Sequence, residues 1–429
     1  MTTSATMANS FNISTEMIGG NDTVGHSYTL EELNDKYTQQ KLGGIVFVTL
    51  LMITGVIGNA HVLYLFAFKF PKSNHRIYIL CLAVLDMITC SIGMPFVIVD
   101  LQNTLTFESA IVCKLLRFLN YFNSGGSAFT LVVIAVDRYK KICNPLGKQM
   151  NERMAKIACS IALSISLILA WPAPVLYGRS TVDTHVDGIT GVACFTEDKF
   201  KKTKYQLYFN SVLILVVFGS FVTLIVLYSL IGQRIWKQGK ARLKMLNPTI
   251  HVSAPVVEPA SSSNSGSGTD NSTDNTLSGE AVMNTNASST AELTKAEPLQ
   301  RTEKEKSQQN ETSKKPGPGK RSKINNEAKV TARGNKTKKT TLMLFIITVV
   351  FIGSFAPHLA LKITVFLNKK FLESRTFAEA FLYHTFVWSF FINNMANPII
   401  YGFCDPRFRR EVRNMYRKLL RKQYKANVV

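Results

Sequence analysis

Apolar residues gather into seven long runs, near residues 43–68, 77–101, 112–139, 155–177, 207–234, 340–366 and 380–403. Each holds about 20 residues or more, enough to cross a roughly 30 Å hydrocarbon layer as a helix. The pattern predicts an all-α membrane protein, a seven-transmembrane helix bundle, and excludes a soluble enzyme with one globular core. Short loops join the first four runs, a longer segment joins the fourth to the fifth, and residues 235–339 separate the fifth from the sixth. The middle of that segment is rich in Ser, Thr, Asn and Gly and its end in Lys and Arg. It cannot bury a core, so it is expected to be a largely disordered cytoplasmic loop with helical extensions of both flanking spans.

Between spans four and five, residues 181–186 alternate, Asp187-Gly188 is a strong hairpin-turn dipeptide, and residues 189–195 follow as a second strand. A β-hairpin is therefore expected in the second outer loop. After span seven, Phe408, Val412, Met415, Tyr416, Leu419 and Leu420 recur at three- and four-residue intervals among Arg409, Arg410, Arg413, Arg417 and Lys418. That spacing describes a short amphipathic basic helix suited to an anionic inner leaflet, with membrane lipids as its partners. The chain thus divides into an outer N-terminal segment (1–42), spans one to five (43–234), the long loop (235–339), spans six and seven (340–403) and the basic helix and tail (404–429).

Charge fixes the orientation. The N-terminal segment carries Lys36 and Lys41 against Glu16, Asp22, Glu31, Glu32 and Asp35, while Lys69, Lys72 and Arg76 follow span one and Lys140, Lys141, Lys148 and Arg153 follow span three. By the positive-inside rule the N-terminus is expected outside and the C-terminus inside. The net charge of +22 is then mainly a property of the cytoplasmic face and not a nucleic-acid footprint. The first 42 residues hold no apolar run like a signal-peptide core, so no cleaved leader is expected. Asn12 and Asn21 head acceptor triplets on the outer side and are candidate glycosylation sites.

Of seven cysteines, only Cys113 and Cys194 fall on the outer side, where disulfides persist. A bond between them would pin the hairpin over the mouth of the bundle. Arg138, in Asp137-Arg138-Tyr139, lies twenty-five residues beyond Cys113, about 37 Å along a helix and so one membrane thickness. Charge at the inner end of a span is by default interfacial anchoring. Within the membrane, Asp86 sits in the middle of span two, Asn123 and Ser127 share a face of span three, and Asn393 and Asn397 share one of span seven. An ionised carboxylate at that depth costs about 3 kcal/mol or more unless compensated.

Together these residues resemble the rhodopsin-like (class A) G-protein-coupled receptors. Gly58-Asn59 is similar to that family's span-one motif and Leu82-Ala83-Val84-Leu85-Asp86 to its span-two motif. Cys113 and Asp137-Arg138-Tyr139 match span three, and Asn397-Pro398-Ile399-Ile400-Tyr401 matches span seven. Span six reads Ser354-Phe355-Ala356-Pro357, with Phe355 where the family usually has Trp, and Ser220 stands in span five where a Pro is usual. Two subfamilies are excluded, because Phe391 replaces the Lys that opsins need for retinal and Asn120 replaces the Asp that amine receptors resemble one another in.

The resemblance implies a receptor, not an enzyme, that couples a peptide of neuropeptide type to a heterotrimeric G protein, with arrestin as a further partner. The ligand would meet Asn120, Arg117, His358, Lys362 and Tyr383 beneath the hairpin. Switching would run through Asp137, Arg138, Tyr139, Tyr228, Phe351, Phe355, Pro357, Pro398 and Tyr401. No cofactor is implied beyond an allosteric sodium ion held by Asp86, Asn123, Ser127, Asn393 and Asn397, the alternative for that set being hydrogen-bond glue between helices. The rival functions are a receptor of the same fold for a small non-peptide ligand, and a transporter or ion pump. The latter would be expected to carry broken helices and repeat symmetry, and the sequence halves show no repeat.

Overall fold

The computed structural model describes residues 28–184, 186, 188–246, 318–368 and 376–427. Asn12, Asn21, the turn residue Asp187 and the middle of the long loop lie outside them. The chain divides into a bundle (residues 1–246 and 328–429) and a separate unit, residues 247–327, of which the described part is helical.

The bundle opens on a helix absent from the sequence reading, α1 (Leu30–Gln40), started by a reciprocal capping box between Thr29 and Glu32. Span one is α2 (Leu42–Phe68). Span two is α3 (Asn74–Ile88), a widened π-type turn over Thr89–Gly93 and α4 (Met94–Gln102). Pro95 explains the widening, since its ring has no N–H to give the preceding turn and crowds the carbonyl behind it. Span three is α5 (Ala110–Cys143), capped by Ser109. Span four is α6 (Glu152–Ala170), stopped at Pro172 and followed by the short α7 (Ala173–Leu176).

The hairpin forms, but not in the expected register. Strands β1 (Tyr177–Asp183) and β2 (Thr190–Thr196) pair antiparallel, with Tyr177 opposite Thr196 and Asp183 opposite Thr190. A two-residue turn at Asp187-Gly188 would have paired Val186 with Ile189. Those residues do close a turn, Ile189 N–H to Val186 O at 3.1 Å, but Thr184 donates its hydroxyl to Ile189 O at 2.6 Å and the regular ladder begins only beyond it. The loop before span three adds a short parallel bridge, with Val192 N–H to Leu105 O at 2.7 Å and Phe107 N–H to Val192 O at 2.9 Å. Gly191 permits this approach, because a β-carbon there would lie 3.0 Å from the Leu105 carbonyl oxygen.

Spans five and six are the long helices α8 (Tyr205–Leu246) and α9 (Pro318–Leu367). Among the described residues six helical stretches are long and apolar enough to cross a membrane. The seventh crossing differs from the continuous run expected, being α10 (Phe377–Phe386), a 3-10 turn at Ser389–Phe391 and α11 (Ile392–Cys404). The cause is a diverted carbonyl. Val387 O accepts from His358 Nδ1 on α9 at 2.5 Å, and Phe391 N–H turns to Trp388 O instead, at 3.1 Å. The amphipathic helix is α12 (Pro406–Asn427), whose first N–H groups are held by Asp405.

Apolar packing falls into three clusters among the described residues. One fills the inner half around Phe66, Tyr78, Leu131, Phe351 and Tyr401, and one the outer half around Val48, Met94, Leu116 and Phe391. The third lies under α1, where Leu33 and Tyr37 meet Leu105, Val182 and Ala193.

Candidate functional site

Helix α5 carries one polar cluster at each end and one between. At its outer end Cys113 is disulfide-bonded to Cys194 of β2 with Cα atoms 5.3 Å apart. One turn below, Arg117 donates to Cys194 O at 2.7 Å, pairs with Asp100 of α4 at 3.6 Å and stacks over the Tyr177 ring. Above it Lys114 bonds Glu197 at 3.0 Å, and Lys199 takes the other oxygen of that carboxylate at 2.9 Å. Burial works against ionisation of Glu197, but Lys199 and Lys114 prevail and hold its carboxyl below the ordinary range. Helix α1 joins this rim. Asn34 donates to Gln102 O at 2.9 Å and accepts from Leu105 N–H at 3.0 Å, and Lys41 bonds Thr104 at 2.7 Å.

Of the residues expected to meet a ligand, Arg117 and Asn120 stand on α5 and His358 and Lys362 on α9. His358 must carry its proton on Nδ1, because its partner Val387 O only accepts. Its ring rests on Phe390 at 4.8 Å. Asn120 has a buried oxygen with no partner. Tyr383 sits on α10, its ring against His384 at 5.1 Å.

Below Asn120 lies an enclosed cavity of about 10 Å³ lined by Asn120, Asn123, Ser127, Phe355, Phe390 and Asn393 among others. That is the room one water or a small ion needs. Both polar atoms of Asn123 and the Ser127 hydroxyl are buried without partners, so the cavity wall is undersatisfied. Asp86 is fully buried and accepts from Asn394 at 2.9 Å and Asn397 at 2.7 Å. Asn394 takes the place the sequence reading gave to Asn393, which faces the cavity instead. Asn59 ties this pair to span one, donating to Asn394 O at 2.8 Å and Gly55 O at 3.0 Å. Amide and hydroxyl oxygens without partners, linked to the Asp86 carboxylate through Asn394, which also lines the cavity, form a donor set that fits a hard cation.

At the inner end Asp137 is fully buried and Arg138 nearly so. Arg138 donates to Asp137 at 2.5 Å, Lys141 to the same oxygen at 2.9 Å, and Asn74 to the other oxygen at 3.2 Å. Asn74 also reaches Met150 O at 2.8 Å. The Asp137–Arg138 pair is legible in the sequence; the parts of Lys141 and Asn74 emerge from the structure. The i, i+4 spacing of Lys141 from Asp137 was a usable signal, whereas Asn74 reads in sequence only as a residue beside the helix cap Ser73. Tyr139 is half-buried against the same inner cluster.

The aromatic residues of the expected switch stack along α9. Phe351 and Phe355 lie 4.9 Å apart, Phe221 meets both edge-on, and Phe355 meets Phe390 at 5.7 Å. Pro357 lies within α9 and Pro398 within α11. Gly58 lets α2 approach Pro398, whose ring atoms a β-carbon would meet at 2.8 Å. Tyr228 is buried against Phe345 at 5.4 Å, and Tyr401 packs on Phe66 at 5.8 Å with its hydroxyl unpartnered.

Residues 58–401 match the family described as 7 transmembrane receptor (rhodopsin family). Among relatives, the neuropeptide S receptor of Mus musculus is 25% identical over 49% of this chain and 55% of its own. The tachykinin-like peptides receptor 86C of Drosophila melanogaster is 23% identical over 47% of this chain and 40% of its own. The C3a anaphylatoxin chemotactic receptor of Oncorhynchus mykiss is 26% identical over 44% and 53%. The chain spans about half the length of the curated relatives it matches.

Proposed function

This chain belongs to the rhodopsin family of seven-transmembrane receptors, and from that premise we propose that it is a plasma-membrane receptor for an extracellular peptide, coupled to a heterotrimeric G protein. The observation that carries the reading is helix α5 itself. Its outer end is bonded to the hairpin through Cys113–Cys194, and its inner end buries the Asp137–Arg138 pair. Movement at the mouth and release of Arg138 are thus tied to one rigid rod.

A peptide rather than a small molecule is favoured because the cavity beneath Asn120 holds about one water, too little for an agonist, which would bind nearer the hairpin with Arg117, His358, Lys362 and Tyr383. The names of the relatives point the same way, since a neuropeptide and a tachykinin-like peptide stand in two of them. In this orientation Asn12 and Asn21 face outward as glycan acceptors and α12 lies on the inner leaflet, where arrestin would also dock.

Asn123, Ser127, Asn393 and Asn397 would hold a sodium ion beside Asp86. When bound it would supply positive charge to a buried carboxylate and satisfy the unpartnered oxygens. Asn394 and Asn397 orient that carboxylate whether or not the ion is present.

The test is a calcium and cyclic-AMP screen of a neuropeptide-like library on cells carrying the full chain. Peptides should evoke a response that Arg138→Ala removes. A response confined to non-peptide compounds would favour the small-ligand reading.

A further inference from the structure

We propose that the inner half of α9 swings about a hinge at Gly353–Pro357, and that the Ser389 hydroxyl is the positioning group that holds it closed. The inference rests on the receptor reading above and names the joint its switch would use.

Span six is softened at this place by its own sequence. Pro357 lies inside α9 and has no N–H to offer the carbonyl of Gly353, one turn earlier. Gly353 is exposed, and a β-carbon there would meet nothing within 4 Å. Among the described residues no neighbour demands a glycine, so its effect is to weaken the helix by comparison with Ala. A proline and a glycine one turn apart make a bending point.

Two hydrogen bonds to span seven straddle that point. On the outer side His358, the residue after Pro357, donates to Val387 O at 2.5 Å. On the inner side Ser389 donates to Ser354 O at 2.8 Å, and both serines are buried. Each interrupted helix thus supplies a side-chain donor for a backbone carbonyl of the other, as a lipid surrounding requires. Phe390 rests against His358 at 4.8 Å and Phe355 at 5.7 Å, filling the same junction. The His358 bond keeps the outer half of α9 on span seven. The Ser389 bond reaches past the hinge, so it must stretch when the inner half moves.

What the swing uncovers lies below Ser354. Met343, Leu344, Ile347 and Phe351 are buried in the inner cluster with Leu131 and Ile134 of α5. Ile134 stands one turn before Arg138. Moving the inner half of α9 away opens this cluster beside the Asp137–Arg138 pair, where a G protein would reach it. Apolar burial favours the closed form, and the Ser389 bond adds to that preference.

A thiol probe measures the swing without ligand or G protein. Leu344 is fully buried, so a Leu344→Cys thiol reacts with a water-soluble maleimide from the open form, at a rate that tracks the open population. The full chain is labelled in lipid nanodiscs and each thiol is scored by mass spectrometry. The natural Cys90, buried in the outer cluster, is the internal control. Adding Ser389→Ala should quicken labelling of the probe about 2- to 12-fold, the factor for one neutral hydrogen bond. Adding Gly353→Ala should slow it about 2- to 5-fold. Cys90 should be unchanged in both.

A probe rate unmoved by Ser389→Ala overturns the proposal, and so does an equal acceleration at Cys90, which would show a general loosening. A rate unmoved by Gly353→Ala removes the hinge. Ligand-free calcium or cyclic-AMP signals in cells should rise with Ser389→Ala. Labelling that shifts while signalling does not would support the hinge and count against G-protein coupling.

Discussion

At the residue scale, the buried acids were legible in the sequence and their partners only in part. Asp86 and Asp137 stand out because a carboxylate in an apolar run demands compensation. Which amide answers was less legible: Asn394 and Asn397 lie three apart in α11 and so share a face, a spacing the sequence also offers, and it is that pair which meets Asp86. Two predictions follow from these contacts. Asn74→Ala removes donors to Asp137 and Met150 O and should destabilise the receptor by about 1.5–3 kcal/mol, the range for bonds to a charged group. A melting temperature no lower than that of the exposed control Asn368→Ala would contradict it. For Asp86, a sodium ion that prefers the resting state must by linkage weaken agonist binding, by 5- to 150-fold for a typical coupling of about 1–3 kcal/mol. Asp86→Asn should abolish most of that effect. The comparison is agonist affinity in sodium against an equal concentration of a large organic cation. Equal affinities in the natural chain would mean the cluster is hydrogen-bond glue.

At the scale of elements, hydrophobic periodicity gave the helices and the hairpin but not their interruptions. The break in span seven is caused by His358, a donor 29 residues away on another helix, so no window of sequence contains its reason. The register of the hairpin is set by Thr184 and by the bridge from Leu105 to Val192, again a distant partner. Helix α1 is different, because its signals were present: the Thr29–Glu32 box, and Leu30, Leu33 and Tyr37 at helical spacing. They went unread because the segment is too polar to compete with the spans. Leu33 is 2% exposed among Tyr37, Leu105, Val182 and Ala193, and burying a Leu side chain contributes about 1.5–3 kcal/mol. Leu33→Asp should therefore free α1 without unfolding the bundle. Amide exchange over residues 30–40 should quicken at least tenfold while that over α5 stays unchanged. Equal protection in the variant would show that the Asn34 and Lys41 hydrogen bonds hold α1 by themselves.

For the whole molecule, seven apolar runs and the placement of Lys and Arg prescribe a bundle, since lipid leaves no alternative partner for the backbone. What the pattern leaves open is how the mouth is kept in shape, and there the structure joins four distant segments. Cys113 binds Cys194, Arg117 binds the Cys194 carbonyl and Asp100, Val192 bridges the loop before span three, and α1 closes over that loop. The disulfide spans 81 residues of sequence. In the chain-entropy account a loop of that length contributes about 4–5 kcal/mol by restricting the unfolded chain. Because Arg117 anchors to the carbonyl of Cys194 itself, losing the bond also loosens the cation that orders the mouth. Cys113→Ala and Cys194→Ala should each abolish agonist binding at the cell surface, and the melting temperature of the double variant should be no lower than that of either single one. That equality is the discriminating result. A double variant much worse than the singles would mean that each cysteine contributes separately through packing, and free thiols at both positions in folded receptor would remove the bond from the account altogether.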